Sequence, residues 1–302
     1  MIQYNPKDWF TFIFRFHKAD TFRSLLPMLI GMSIYTALVV WIEIRFDFIG
    51  NSHLKNFNQM HTLLGFAISM LLVFRTNTAY ERWWEARKLW GNLVNASRNL
   101  AIKLNVYLAL SETEIRNSIA VNIGAFAHAL HLRLRNENIT AELAEKISMD
   151  INGNTVHIPS IIAGQLIGNL NNAYMSGLLS NEQFLSCNTE TVVFMDVCGA
   201  CERIKNTPIP FSYSVFIKKI VFFYTMTLPF GFAFSLGYVS IPVTVFIFYV
   251  LASLEIIAEE IEDPFSGDEN DLPTKRLAEN IDLQCSEILY PENGNLKPVA
   301  KS

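Results

Sequence analysis

The feature that most constrains this chain is a run of 35 residues, from Ile220 to Leu254, without Asp, Glu, Lys, Arg or His. A surface helix of a water-soluble protein usually has a charged face toward solvent, and this run contains no charge to form one. In a bilayer with a hydrocarbon core about 30 Å thick, the run accommodates two helices of about 17 residues if Lys218, Lys219 and Glu255 reach the interface. The turn between the two helices is predicted at 236–240.

Two further apolar runs precede this one. Leu25 to Ile44 is 20 residues long and carries one charge, Glu43, which gives a helix about as long as the hydrocarbon core is thick. From Asn56 to Phe74, 19 residues contain no Lys, Arg, Asp or Glu. Helical character continues past Arg75 toward Leu108, so one long helix is expected to leave the bilayer and continue into water. The sequence therefore predicts four transmembrane helices.

The distribution of Lys and Arg orients these helices. The loops at 45–60 and 236–240 carry Arg45 and Lys55, whereas the opposite flanks carry nine basic residues: Arg15, Lys18, Arg23, Arg75, Arg82, Arg87, Lys88, Lys218 and Lys219. The positive-inside rule then makes both termini and the middle section cytoplasmic. The predicted plan has five parts: a cytoplasmic N-terminal segment (1–24), transmembrane helices 1 and 2 (25–75), a helical cytoplasmic domain (76–215), transmembrane helices 3 and 4 (216–256) and a cytoplasmic C-terminal segment (257–302).

The middle section is also predicted to be helical, so the fold class is all-α. After residues 112–114, five apolar positions follow at helical spacing: Ile119, Ile123, Phe126, Leu130 and Leu134. Similar patterns fill 161–178 and 190–204, with breaks at 152–154 and 206–208. The net charge of −4 provides no electrostatic footprint for nucleic acid. No phosphate-binding loop, nucleophile elbow or zinc-helix motif points to an enzyme.

The second predicted transmembrane helix has two contrasting faces. Phe66, Met70 and Phe74 stand at i, i+4 and i+8 and form a nearly axial stripe of bulky neutral side chains. Gly65 and Ser69 form a small-xxx-small pair, which lets helices approach closely. Such a helix suits a ring of identical helices around a narrow apolar constriction. From periodicity alone, however, a stripe that meets lipid or another helix is the simpler interpretation.

Cys198-Gly199-Ala200-Cys201 is a lone C-x-x-C motif without a second cysteine pair. Two small buried residues on a helix are the favoured interpretation, and a zinc or redox role is the alternative. The other two cysteines, Cys187 and Cys285, lie in polar or helical contexts, and none of the four needs a disulfide.

Three parts of the chain resemble the bestrophin family. The first is GFAISMLLVFR at 65–75, followed by ERWWE at 81–85. The second is CERI at 201–204, leading to TPIPF at 207–211, and the third is EDPF at 262–265, after the last membrane helix. They occur in the expected order, and the short C-terminal tail is similar to that of bacterial members.

This resemblance implies a homopentameric ion channel in a bacterial inner (plasma) membrane, with four membrane helices per subunit around a central pore. The expected permeant ions are small and monovalent, either chloride as in eukaryotic members or cations as in some bacterial ones. The expected binding partners are other copies of the chain and membrane lipid. The resemblance also implies a pore neck lined by Phe66, Met70 and Phe74. A cytoplasmic aperture is expected in the segment 182–185, with Phe184 as the residue at the constriction.

An acidic run follows the last membrane helix. Animal bestrophins have an unbroken acidic cluster at this place for calcium activation. By this resemblance, five carboxylates of the present chain are candidate calcium ligands: Glu262, Asp263, Asp268, Glu269 and Asp271. Ser266, Gly267 and Asn270 interrupt the run, and its spacing does not fit an EF-hand. A solvated acidic surface is therefore the favoured interpretation, and no cofactor is predicted.

A membrane enzyme, a carrier and a scaffold are the rival classes. An enzyme needs ionisable groups that converge at a cleft, and the membrane segments are nearly free of such groups. A carrier usually has repeats with broken helices at matching positions, and the two helix pairs show no evident repeat. The alternative to a channel is therefore a membrane scaffold or a carrier without channel activity.

Overall fold

The computed structural model describes residues 21–46, 57–147 and 156–290 of the 302-residue chain. Within these ranges the protein is helical and has no strand, as the sequence predicts. The α-helices are α1 (Thr21–Arg45), α2 (Phe57–Tyr107), α3 (Thr113–Leu134), α4 (Ala141–Lys146), α5 (Ile158–Met175), α6 (Asn181–Asn206), α7 (Phe211–Leu236), α8 (Ser240–Glu262) and α9 (Thr274–Leu289). The predicted break at 152–154, most of the N-terminal segment 1–24 and Lys55 lie outside the described residues.

Four of these helices, α1, α2, α7 and α8, are long and apolar enough to cross a membrane, which confirms the predicted spans. A 3₁₀ turn at Gly237–Val239 separates α7 from α8, where the uncharged run was expected to reverse. Gly237 has a φ of +53°, a left-handed conformation that glycine adopts at little cost. α2 has 51 residues, so the predicted continuation of the second membrane helix beyond Arg75 is also confirmed.

The chain forms two compact units. The first unit comprises the described residues up to Trp83 together with Pro208–Pro264 and Asp268–Asp271. The second unit comprises Trp84–Thr207, Phe265–Gly267 and the described residues from Leu272 onward. α8 extends to Glu262, and α9 belongs to the second unit.

The first unit holds the four spans together with two buried apolar clusters. One cluster joins α1 to α8 and consists of Leu25, Leu29, Met32 and Phe248. The other joins α2 to α7 and consists of Ile68, Leu72, Ile217 and Val221. The Tyr35 hydroxyl donates to the Met226 carbonyl at 2.9 Å, which links α1 to α7. In lipid, where apolar burial alone drives little helix association, such packing and interhelical hydrogen bonds hold the spans together.

In the second unit, α3 is largely buried. The five positions that the spacing predicts to face the core, from Ile119 to Leu134, are each at most 1% exposed. α9 packs along α3, and Arg116 of α3 is enclosed beside this contact. Its guanidinium donates to the Leu289 carbonyl at 2.8 Å and to the Leu108 carbonyl at 3.0 Å. These bonds satisfy buried donors that would otherwise destabilise the unit.

Candidate functional site

The predicted stripe on α2 is largely exposed, and the described parts of the chain do not cover it. Phe66, Met70 and Phe74 are 70%, 45% and 58% exposed, whereas Ile68 and Leu72 on the opposite side of the helix are buried against α7. α2 thus packs one face inside the subunit and leaves a bulky neutral face open. In a membrane, lipid or another polypeptide must cover such a face.

Hydroxyl groups beside the stripe are bonded within α2 itself. The Ser69 hydroxyl donates to the Gly65 carbonyl at 2.8 Å, and the Thr78 hydroxyl donates to the Phe74 carbonyl at 2.9 Å. A hydroxyl proton that is bonded to a carbonyl one turn earlier is not available to a passing anion. An ion at this face would therefore lose water of hydration without receiving a replacement donor.

Gly65 does permit a close approach, but the neighbour belongs to the same chain. A Cβ atom at this position would lie 2.7 Å from the Tyr224 hydroxyl oxygen of α7. That hydroxyl donates to the His61 carbonyl of α2 at 3.4 Å. The close-packing face predicted at Gly65 and Ser69 is therefore used at Gly65 to seat α7 within the subunit, and Ser69 is exposed.

Glu262, at the end of α8, connects the three parts of the sequence that carry the family resemblance. Its Oε2 accepts a hydrogen bond from Arg75 Nη2 at 2.7 Å, and its Oε1 accepts one from the Ile209 N–H at 2.6 Å. Arg82 Nε donates to its main-chain carbonyl at 3.1 Å. Arg75 is 1% exposed, and the Glu255 carboxylate lies 3.6 Å from its Nε. The buried ion pair thus attaches the stripe-bearing part of α2 to the end of α8.

This role of Arg75 is not apparent from the sequence, in which the residue is one of the basic residues flanking the predicted spans. One feature of the sequence does connect the two residues. Arg75 and Glu262 each lie in a part of the chain that resembles the bestrophin family. Trp83 adds a second link, because its Nε1 donates to the Asn270 carbonyl at 3.2 Å in the loop after α8.

Two of the carboxylates considered for calcium accept hydrogen bonds from other groups. Both oxygens of Glu262 hold the hydrogen bonds given above, and the buried Asp271 accepts the Asp268 N–H at 3.1 Å. Calcium takes six to eight oxygen ligands, so a site here would need several of these groups to converge. Within the described ranges, one group of three side chains brings metal-ligating atoms close together, and it is His157, Cys198 and Glu202.

Phe184, expected at the cytoplasmic aperture, lies near the start of α6. Its ring stacks on Tyr174 with centroids 5.4 Å apart, whereas the next residue, Leu185, is 52% exposed. A hydrogen bond from its own N–H, aided by the Ser180 hydroxyl, lowers the pKa of the exposed Glu182 carboxyl, which is therefore ionised at neutral pH. This segment thus presents one apolar and one anionic side chain.

Four helices able to cross a membrane define a multi-pass membrane protein, and one of them carries an exposed neutral stripe. Comparison with known families is consistent with that class. The family described as Bacterial/Fungal Bestrophin protein matches residues 1–287. The chain belongs to this family, which confirms the resemblance inferred from its sequence.

Individual relatives agree with this assignment. The voltage-dependent anion channel-forming protein alr2987 of Nostoc sp. is 38% identical over 227 residues, which are 73% of this chain and 74% of that protein. The voltage-dependent anion channel-forming protein YneE of Salmonella typhi is 31% identical over 291 residues, 95% of this chain and 94% of its own. A crystal structure of a bacterial bestrophin homologue from Klebsiella pneumoniae is 28% identical, with a TM-score of 0.80 over 88% of this chain and 98% of that one. These similarities point to a channel and not to an enzyme.

Proposed function

We propose that this protein is a bestrophin-type channel that passes small monovalent anions passively through one axial pore. The family match over residues 1–287 is the observation that carries the proposal. The uncovered stripe on α2 gives the pore a lining, and the name shared by relatives, voltage-dependent anion channel-forming protein, supports anions as the cargo.

The pore requires several copies of the chain. One α2 helix offers a strip of apolar side chains, and a constriction needs a ring. Five copies around an axis, as the family resemblance implies, would turn Phe66, Met70 and Phe74 into three stacked apolar rings. Lipid would cover outward side chains such as Leu38 and Trp41 of α1, which are 53% and 56% exposed.

In such a neck, dehydration sets the barrier to ion passage. The rings consist of Phe and Met side chains, which carry no charge and no hydrogen-bond donor. The nearby Ser69 and Thr78 hydroxyls donate to main-chain carbonyls of the same helix. A narrow apolar constriction of this kind gates by excluding water. Widening the neck admits water and lowers the cost of entry for an ion.

We assign both termini and the helical unit to the cytoplasm of a bacterium, with the four spans in its inner membrane. The excess of Lys and Arg on that side of the spans supports this orientation. A second constriction in the segment 182–185 remains part of the proposal, with Phe184 as its predicted residue. The exposed Leu185 and the ionised Glu182 are its neighbours on α6.

Ion flux from proteoliposomes tests the neck. The triple variant Phe66→Ala, Met70→Ala, Phe74→Ala should raise chloride flux, by about tenfold for each 1.4 kcal/mol removed from the barrier. A matched triple variant on another face of α2, about 100° around the helix, should leave flux within about twofold of the parent: Met60→Ala, Leu64→Ala and Leu71→Ala. Mass measurement in mild detergent should give the same pentamer for all three proteins. Unchanged flux in the stripe variant, with the pentamer intact, would place the constriction elsewhere.

A further inference from the structure

A second cluster of chemically active side chains lies in the unit that contains α3, α5 and α6. His157 immediately precedes α5, while Cys198 and Glu202 stand four residues apart on one face of α6. The nitrogen, sulfur and oxygen ligand atoms of these residues all lie within 4.8 Å of one another. We propose that His157, Cys198 and Glu202 form a zinc site that fastens the start of α5 to α6.

The spacing of the three groups is close to that of bound zinc. Zinc holds nitrogen, oxygen and sulfur ligands at about 2.0–2.3 Å in a tetrahedron, which sets the ligand atoms about 3.3–3.8 Å apart. Closing the cluster onto an ion therefore takes side-chain movements of about 1 Å. The mixed donor set favours zinc over hard cations such as calcium or magnesium, which take oxygen ligands.

Solvent reaches one side of the cluster. Cys198 is fully buried, whereas the side chains of His157 and Glu202 are 30% and 24% exposed. A zinc ion with three protein ligands takes water as its fourth, and the exposed side can supply it. The same opening gives the ion a path into the site.

His157 is already oriented toward the proposed ion. Its Nδ1 accepts the Ser160 N–H at 3.2 Å as the cap of α5, and its Nε2 lies 3.0 Å from Glu202 Oε1. In the metal-free protein the ring proton is therefore on Nε2. Zinc at Nε2 requires the proton on Nδ1, so this nitrogen stops accepting the Ser160 N–H and instead donates to the Ser160 hydroxyl oxygen at 2.7 Å. Binding would thus exchange the cap hydrogen bond of α5 for this one. A ligating histidine commonly donates its other ring N–H in this way.

The charges also balance when zinc binds. Burial acts to raise the pKa of Glu202, but hydrogen bonds from Arg133 and His157 outweigh it and lower the pKa overall, so the carboxylate is charged. Burial raises the pKa of the Cys198 thiol to about 12, so the free thiol keeps its proton. Binding expels this proton to solvent as the sulfur–zinc bond forms. Zn²⁺, thiolate and carboxylate then sum to zero charge, and Arg133, whose side chain is 51% exposed, can turn to water.

The second cysteine of the C-x-x-C motif, Cys201, provides a control for the proposed zinc site. Cys201 lies three residues after Cys198 on α6 and is equally buried, but it is not a member of the cluster. A zinc site built on the C-x-x-C would need both thiols, whereas the proposed site needs Cys198 alone. Substitution at the two cysteines therefore separates the two arrangements.

Titration of the chelator-treated full-length protein in mild detergent tests the site, with Co²⁺ as a spectroscopic probe and Zn²⁺ as its competitor. We expect one Co²⁺ per chain, a thiolate-to-cobalt charge-transfer band, and displacement of the cobalt by Zn²⁺. Cys198→Ser should abolish the band and weaken Zn²⁺ binding by tenfold or more, whereas Cys201→Ser should bind like the parent. Glu202→Gln should keep the band and also weaken Zn²⁺ binding by tenfold or more.

Two results would overturn the proposal. One is a parent protein that shows no charge-transfer band at saturating Co²⁺, and the other is a band that survives Cys198→Ser or is lost in Cys201→Ser. If Cys198→Ser does not elute as a folded protein, His157→Gln provides the decision, because its partly exposed side chain can be changed without opening a core cavity. Zn²⁺ binding by that variant at the parent affinity would equally contradict the site.

Discussion

Replacing Arg75 with methionine should destabilise the protein by about 3–5 kcal/mol, because it leaves buried carboxylates without their partner. The guanidinium is 1% exposed and lies 2.7 Å from Glu262 Oε2 and 3.6 Å from Glu255 Oε1. Two unit charges about 4 Å apart interact by about 4 kcal/mol at an effective dielectric constant of 20, which agrees with that range. Methionine retains much of the side-chain volume, so the loss reports on charge more than on packing.

Thermal unfolding in mild detergent, followed by the helical circular dichroism signal, measures this effect. At about 2–4 °C per kcal/mol for a large chain, Arg75→Met should lower Tm by about 6 °C or more. Lys218→Met is the matched control, since Lys218 pairs with Glu259 at 2.8 Å between α7 and α8 but both side chains are about half exposed. Solvent screening limits such a pair to less than about 1 kcal/mol. Adding Glu262→Gln to Arg75→Met should recover part of the loss, because it neutralises one unpaired carboxylate.

Equal losses of Tm in Arg75→Met and Lys218→Met would refute this reasoning. So would effects of Arg75→Met and Glu262→Gln that simply add, because two partners of one buried pair must show a coupling energy. In either case the end of α8 would be held to α2 by packing and not by the ion pair.

Two further predictions concern packing and regulation. Gly124→Ala should cost about 1–3 kcal/mol, because its Cβ atom would lie 2.6 Å from the Asp282 Cγ of α9. Gly164→Ala on α5 is the control, because nothing lies within 4 Å of its Cβ atom; it should be neutral or stabilise the protein by up to about 1 kcal/mol. Equal losses of Tm in Gly124→Ala and Gly164→Ala would show that α3 and α9 are not tightly packed. Chloride flux should not respond to micromolar calcium, because Glu262 is already bonded to Arg75. A calcium-dependent flux that disappears in Asp268→Ala would contradict this.

Much of the fold follows from local pattern in the sequence. The uncharged runs predict the four spans because each is long enough to cross the hydrocarbon core of a bilayer and has no charged face for water. The spacing of Ile119, Ile123 and Phe126 predicts the buried face of α3 because a helix repeats every 3.6 residues. The same rule applies to α9, whose buried residues Ile281 and Cys285 are four positions apart.

Contacts between distant residues could not be predicted in this way. Arg75 and Glu262 are 187 positions apart, and nothing in the local sequence of either says that it is buried. Likewise, the spacing of Cys198 and Glu202 was visible, but their neighbour His157 comes from the turn before another helix. Such pairings depend on how helices pack, which a single sequence does not encode locally.

Reversal potential in asymmetric KCl, recorded from the purified protein in a planar bilayer, tests the central claim most directly. A channel for small monovalent anions gives a single-channel current that reverses near the chloride equilibrium potential. Reversal near the potassium equilibrium potential would make the protein a cation channel, and the anion assignment would be wrong. The absence of any current from protein that is confirmed as an assembled oligomer would contradict channel function itself.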